Sequence, residues 1–227
     1  MQQTFLQSAA LGCRFVQLQW IDPSVPAESI AAALTEAGLV SVSVQDFFDS
    51  VCADEEYYLR LNELTGGEWL CVSRIPERMR SPEGLNRYIQ ELQRLRKTAE
   101  ARGQKLCFHP VSADYAGIGG LCPVEEILAR MPEMKLCLDL YHLHKAGYSL
   151  PAWIAAHAGR IEMVHFKDEK NGALVPAGQG EVAYDGAVEA CLKAQVSYGF
   201  VEQESWDRDP FVCIGEALAW LRRKILY

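Results

Sequence analysis

The sequence predicts a parallel α/β fold, and two observations support this. Seven strand signals and eight helix signals alternate along the chain, and no Pro/Ser-rich linker or shift in composition marks a domain boundary. Such alternation is typical of a parallel sheet covered by helices, either as a closed barrel or as an open doubly wound sheet. No GxGxxG or GxxxxGK[ST] motif follows a strand, so the usual nucleotide signatures of the open folds are missing. Because no linker divides the chain, we expect one domain over residues 1–227.

The predicted strands are short segments rich in β-branched and other apolar residues. They cover residues 14–20, 39–45, 68–75, 105–111, 135–140, 161–168 and 199–204. The clearest helix start is Ser81-Pro82-Glu83, which combines an N-cap residue, a proline at the first helical position and an acid in the first turn. The predicted helices cover residues 3–12, 26–37, 52–64, 82–102, 123–131, 150–158, 185–194 and 210–226.

Composition excludes several classes of protein. A formal net charge of −8 disfavours nucleic acid as a partner, because phosphate binding depends on clustered Lys and Arg. No apolar run is long enough to span a membrane, and the first residues do not resemble a signal peptide. The eight cysteines form no CxxC pair, which indicates reduced thiols. We expect a cytoplasmic enzyme without nucleic-acid or membrane partners.

Four successive predicted strands end in residues that can bind a metal ion: His109, Asp139, His165 and Glu202. In a barrel, the carboxyl ends of parallel strands meet at one mouth, so these side chains are expected to converge there. Imidazoles mixed with carboxylates suit a divalent ion that acts as a Lewis acid, such as Mn, Co, Zn or Mg. The pattern favours a barrel over an open sheet.

Each of these residues also has an ordinary structural explanation. A single histidine at a strand end is more often a hydrogen-bonded structural residue. Asp139 alone could cap the following helix, and Glu202 alone could pair with an Arg or Lys. The same type of residue on four consecutive strands is much harder to obtain by chance, so a shared site is the better interpretation.

The motifs LDLYH, VHFKD, GQG at 178–180 and VEQE give the sequence a resemblance to the xylose isomerase-like TIM barrels, the sugar phosphate isomerase/epimerase superfamily. The resemblance implies a TIM (β/α)8-type barrel. It also implies metal ligands at Asp139, His165 and Glu202, with Lys167 and Asp168 matching the family's His-x-Lys-Asp motif. Glu204 stands where relatives often have Asp.

Two departures from the family pattern are visible. Relatives often read His-Asn-His on the fifth strand with an acid soon after, whereas here Val111 cannot bind a metal. The fifth-strand ligand is therefore expected to be His109, or less favourably Asp114. The chain begins in the helix that should follow the family's first strand, so we expect that strand to be missing; the alternative is that residues 1–6 pair as a very short strand. Gln17 stands where the family's second strand often has Glu. We predict a seven-stranded, incompletely closed barrel, whose exposed edges could be covered by another segment or in a homodimer.

The resemblance implies a metal-dependent isomerase or epimerase of a small sugar, keto-sugar or sugar phosphate. In the family mechanism a carboxylate moves a proton through a metal-stabilised enediolate. Glu202 would be both ligand and base, and His109 the second acid/base. Lys167 would hold a phosphate or carboxylate, or form a salt bridge with Asp168 or Asp139.

Four further residues are candidates for substrate binding. His142 follows Asp139 closely, and Glu204 follows Glu202. Trp206 and Trp20 lie near strand ends, where an aromatic ring can stack on a sugar. Aromatic residues at strand ends are as often packing residues of a lid or rim.

Three alternatives stay open. A dehydratase of the inosose dehydratase type would use the same residues, with one proton removed and a hydroxyl group expelled. A degenerate, non-catalytic sugar-binding relative would explain Val111, Gln17 and the missing strand. A nuclease like endonuclease IV is disfavoured, because it needs many histidine ligands and a basic groove, whereas this chain has five histidines and a net charge of −8.

Overall fold

Strands and helices alternate along residues 1–225, the part of the chain that the computed structural model describes. These residues group into two units. The first comprises Met1–His109 and Gly117–Met134, and the second comprises Pro110–Ala116 and the chain from Lys135 onward. Each unit contains consecutive parallel strands connected through helices. A single domain over residues 1–227 stays a prediction.

The first unit contains four parallel strands, each paired with the next one along the chain. The strands are β1 Phe15–Gln19, β2 Val40–Phe47, β3 Trp69–Ser73 and β4 Lys105–His109. The helices are α1 Gln2–Ala10, α2 Ala27–Ala37, α3 Phe48–Ala53, α4 Glu55–Leu64, α5 Pro82–Glu100 and α6 Pro123–Arg130. All five residues of β3 are buried, as expected for an inner strand of a parallel sheet that helices cover.

Helix starts in this unit follow the capping rules. Ser81 caps α5 as predicted, because its Oγ accepts a hydrogen bond from the backbone N–H of Gly84 at 3.0 Å. The prediction of one helix over 52–64 was wrong, since the chain forms α3 and α4 with a break at Asp54. Asp54 leaves the helical conformation with φ −148°, and its carboxylate caps α4 by accepting from the N–H of Tyr57 at 3.1 Å.

The second unit contains three parallel strands, in the order β5, β6, β9, and a separate antiparallel hairpin made of β7 and β8. The strands are β5 Lys135–Asp139, β6 Ile161–Phe166, β7 Asp168–Lys170, β8 Ala173–Val175 and β9 Tyr198–Val201. The helices are α7 Leu140–Lys145, α8 Leu150–Ala156, α9 Ala187–Lys193 and α10 Pro210–Ile225.

Two features of this unit differ from the prediction. The segment 161–168 is not one continuous strand, because β6 ends at Phe166 and the chain then enters the hairpin. The hairpin turn is Asn171-Gly172, with φ of 52° and 80°, the positive values that a tight two-residue turn requires. The short helix α7 directly after Asp139 was also not predicted.

The parallel α/β prediction is confirmed by seven parallel strands in residues 1–225, and no strand precedes β1 there. The last helix was predicted to reach Leu226, which lies outside the described residues. No helix in the described part of the chain is both long and apolar enough to cross a membrane.

Strands β1 and β9 each pair with one other strand of their own unit. Strand β1 pairs with β2, and β9 pairs with β6. Closure of the barrel by another segment and assembly into a homodimer both stay predictions.

Candidate metal centre

Asp139 is the last residue of β5 and also begins the next helix. Its side chain is 1% exposed, and its Oδ1 accepts a hydrogen bond from the backbone N–H of His142 at 3.1 Å. An aspartate in this position is a favourable N-cap, which explains why α7 starts at Leu140. The capping role considered from sequence is therefore present, and it occupies Oδ1 of the carboxylate.

His165 on β6 is the register partner of Asp139 on β5, so the two side chains leave neighbouring strands at the same level. Nδ1 of His165 lies 2.6 Å from Oε2 of Glu202. Glu202 follows β9 directly, and its backbone N–H donates to the carbonyl oxygen of Phe166 at 3.0 Å. That bond extends the pairing of β6 with β9 and holds Glu202 beside the imidazole.

These three residues form the cluster that we call the acid–imidazole cluster: Asp139, His165 and Glu202. Each offers one ligand atom, and these atoms lie within 4.8 Å of one another. Burial and then the negative charge of Glu202 raise the pKa of Asp139 to about 7, against the opposing effects of His165 and Lys167. Two carboxylates so close together in a buried place fit a divalent cation, which would offset their repulsion.

His165 has a second neighbour that sequence reasoning missed. Its Nε2 lies 3.1 Å from Sγ of Cys137, a fully buried residue of β5. Burial by itself would lower the pKa of His165, but Cys137 and Glu202 outweigh burial and hold that pKa well above its ordinary value. Because Cys137 precedes Asp139 by two residues on one strand, both side chains point to the same face.

His109 ends β4 in the first unit and pairs in register with Ser73 on β3. Its ring is buried, and its Nδ1 lies 3.1 Å from Oγ of Ser73. Its roles as metal ligand and as second acid/base stay predictions. The alternative ligand Asp114 is buried, and its Oδ2 accepts from the backbone N–H of Val111 at 2.9 Å, which stabilises the turn that follows.

Lys167 has a partner that was not predicted. Its buried Nζ lies 2.8 Å from Oε2 of Glu204, and 5.3 Å from the ring centre of Tyr141. The sequence suggested Asp168 or Asp139 as the salt-bridge partner of Lys167. The structure instead joins Lys167 to Glu204, a more exposed carboxylate, so the two residues expected to contact substrate contact each other.

Asp168 explains the GQG motif. Its carboxylate accepts backbone hydrogen bonds of 2.9–3.0 Å from Gly178, Gly180, Val182 and Glu169. A Cβ on Gly180 would lie 2.2 Å from Oδ1 of Asp168, so only glycine lets this loop pack against the carboxylate. Asp168 therefore has a structural role, and the motif marks a loop fixed onto the end of β6.

His142 lies beside the cluster, with Nε2 3.9 Å from Oδ2 of Asp139. Burial and then the charge of Lys167 lower the pKa of His142 to about 4. A neutral imidazole at this position can both donate and accept a hydrogen bond. Its role in substrate binding stays a prediction.

Both tryptophans predicted to bind substrate are partly exposed. Trp206 in the second unit is 37% exposed, and Trp20 in the first unit is 46% exposed. Trp20 has a positive φ of 51° and packs on Phe47, with ring centres 6.0 Å apart. An exposed aromatic ring is accessible to a ligand, and stacking of either tryptophan on a sugar stays a prediction.

The parallel strands and the acid–imidazole cluster after β5, β6 and β9 define the class: a parallel α/β protein with a candidate divalent-metal centre at its strand ends. The family model described as "Xylose isomerase-like TIM barrel" matches residues 5–224. The chain therefore belongs to the xylose isomerase-like TIM barrel family. This membership confirms the resemblance and the TIM-barrel fold class, with seven parallel strands in residues 1–225.

Solved structures share this fold at low sequence identity. A sugar phosphate isomerase/epimerase from Parabacteroides distasonis is 13% identical, with a TM-score of 0.82 over 97% of this chain and 87% of the other. D-allulose 3-epimerase from Methylomonas sp. is 18% identical, with a TM-score of 0.80 over 98% and 91%. 3-keto-D-glucoside 4-epimerase from E. coli is 18% identical, with a TM-score of 0.76 over 98% and 94%. No curated protein sequence matches.

Proposed function

We propose that this protein is a metal-dependent isomerase or epimerase of a small sugar, keto-sugar or sugar phosphate. The observation on which this proposal mainly rests is the acid–imidazole cluster, in which two carboxylates and an imidazole place their ligand atoms within 4.8 Å. Such a donor set suits Mn, Co, Zn or Mg, with positions left for a substrate. The epimerase names of several structural neighbours support the same class.

Glu202 is the proposed base. When bound, the metal ion would polarise adjacent carbonyl and hydroxyl oxygens of the sugar and so acidify the carbon between them. The Glu202 carboxylate would remove that proton, and its side chain is 12% exposed, which leaves it within reach of a small molecule. Returning the proton to the same carbon or to its neighbour distinguishes epimerisation from isomerisation.

Lys167 and Glu204 are proposed to orient the substrate. The ammonium group of Lys167 is almost fully buried, and Glu204 and the face of Tyr141 hold it in place. A buried cation held in this way can bind an anionic or oxygen-rich part of a sugar by exchanging part of its contact with Glu204. His109 remains our candidate for the second acid/base.

The proposed partner is a small molecule. The net charge of −8 supports the absence of a nucleic-acid partner. The eight cysteines of the sequence include no CxxC pair, which supports a cytoplasmic location.

The function is tested by exchange of substrate hydrogen with solvent. Ketoses, 3-keto-glycosides and inososes are incubated in D₂O with the protein and each of the four metals, and deuterium at carbon is measured by NMR. We expect exchange with at least one substrate, and a loss of about 10²–10⁴-fold in Glu202→Gln. The control is Glu189→Gln, which changes an exposed glutamate of α9 that pairs with Lys193.

The product separates the alternatives. An epimerase or isomerase conserves the formula of the substrate, whereas a dehydratase gives a product that lacks one water. Exchange that persists in Glu202→Gln would exclude the proposed base. Binding of a sugar without exchange, under every metal, would favour the non-catalytic relative.

A further inference from the structure

The imidazole of His165 lies between two different side chains. Nδ1 lies 2.6 Å from Oε2 of Glu202, and Nε2 lies 3.1 Å from Sγ of Cys137. The ring itself is fully buried. These two neighbours differ in chemistry: a carboxylate lies beside Nδ1, and the sulfur of a cysteine lies beside Nε2.

Strand geometry fixes Cys137 in this position. Asp139 and His165 are register partners, and Cys137 pairs with Met163 two residues earlier along the same two strands. Cys137 and Asp139 thus face the same side of β5, one below the other. Because Cys137 is completely buried, no solvent competes for its contact with the histidine.

We propose that Cys137 is a positioning residue that accepts a hydrogen bond from Nε2 of His165 and thereby reserves Nδ1 for a divalent cation. This inference rests on the proposed function, since it concerns the same metal centre. A neutral imidazole carries one N–H, so a ring that binds metal through Nδ1 must place its N–H on Nε2. In a buried site that N–H requires an acceptor, and Sγ of Cys137 is at the right distance.

The direction follows from where the carboxylates lie. The ligand atoms of Asp139 and Glu202 are within 4.8 Å of a ligand atom of His165, and Glu202 stands next to Nδ1. If the metal bound Nε2 of His165, it would lie beside Cys137 and not beside Glu202. Partners behind a metal-bound histidine are usually carboxylates, carbonyls or waters. Here the sulfur of Cys137 takes that position and orients the ring.

The test compares three variants of the full-length protein. Cys137→Ala removes the acceptor, Cys137→Ser keeps an acceptor at the same position, and Cys191→Ala truncates another buried cysteine of the same unit, on α9. Zn²⁺ affinity is measured by competition with a chelator. We expect Cys137→Ala to lower affinity by about 10–100-fold. Cys137→Ser should recover much of that loss, and Cys191→Ala should bind as the parent does.

A second readout needs no mutation. In the Zn²⁺-loaded parent labelled with ¹⁵N-histidine, we expect His165 to bind zinc through Nδ1 and to carry its proton on Nε2. Zinc on Nε2, or Cys137→Ala with parental affinity, would overturn the role of Cys137 while leaving the proposed function intact. A parent protein that binds no divalent metal would overturn both. If Cys137→Ala does not fold, the ¹⁵N measurement still decides the inference.

Discussion

Asp139 combines a structural and a chemical role in one side chain. One oxygen caps α7, while burial and the nearby Glu202 make its negative charge unfavourable without a cation. Asparagine can also cap a helix, but it cannot ionise. The substitution Asp139→Asn therefore separates the two roles, because it keeps the cap and removes the charge.

The pKa of Asp139 gives a pH-dependent prediction for the metal-free protein. The folded chain raises this pKa from 3.8 to about 7, so folding becomes less favourable as the pH rises through this interval. Asp139→Asn should remove that loss. We expect the metal-free variant to exceed the parent in free energy of unfolding by about 1–3 kcal/mol near pH 8, with the gain disappearing toward pH 4.

Urea denaturation at a series of pH values measures this difference. The matched control is Asp54→Asn, which changes the exposed N-cap of α4 and also keeps a capping residue. Its effect should be small and should not follow the same pH curve. A parent protein whose stability stays constant between the two pH limits would contradict the environment assigned to Asp139.

The sequence predicted Asp139, His165 and Glu202 as neighbours, because each directly follows an apolar segment. It could not predict which partners these side chains choose. Cys137 resembles any other buried strand cysteine in sequence, and its contact with His165 depends on the register of β5 and β6. Lys167 pairs with Glu204, which follows β9, rather than with the adjacent Asp168.

At the scale of elements, the loop that carries the GQG motif is fixed by one buried carboxylate. Asp168 accepts backbone hydrogen bonds from both glycines, and Gly180 lies too close for any Cβ. This loop follows the β7–β8 hairpin, which begins directly after Lys167. Its hydrogen bonds to Asp168 therefore help to set the position of Lys167, the preceding residue.

Gly180→Ala should destabilise the protein because the new methyl group would overlap Oδ1 of Asp168 and the carbonyl oxygen of Glu169, at 2.2 and 2.4 Å. Overpacking of this kind costs about 1–3 kcal/mol, measurable by urea denaturation. Gly117→Ala is the matched control, since its nearest neighbour would be 3.8 Å away. Equal stability of both variants would mean that the loop does not pack against Asp168.

The elements that the sequence left unpredicted are short and local. The Asn171-Gly172 dipeptide is a standard hairpin signal. The strand was nevertheless predicted to continue to residue 168, because apolar residues recur along it up to Phe166. Asp54 was likewise an available N-cap signal for α4. Helix α7 has only six residues and starts at a residue assigned to metal binding, so periodicity had too little length to reveal it.

At the scale of the whole molecule, the proposed ligands are close in space but distant in sequence. Asp139, His165 and Glu202 follow three separate strands, and their ligand atoms meet within 4.8 Å only when those strands pair. An unfolded chain does not hold them together. A metal ion that binds this cluster should therefore bind the folded state selectively and raise its stability.

Metal binding should accordingly shift the melting temperature. A metal at about 100 times its Kd adds about 2.7 kcal/mol, and in a chain of this size each kcal/mol corresponds to about 2–4 °C. Protein treated with a chelator and then titrated with Mn, Co, Zn or Mg should show this rise by calorimetry. Asp139→Asn should lose most of it, whereas Asp54→Asn should keep it. The absence of a shift with all four metals would favour a degenerate, non-catalytic member, because a chain that has kept three ligand-type residues without binding metal would have lost the chemistry of the family.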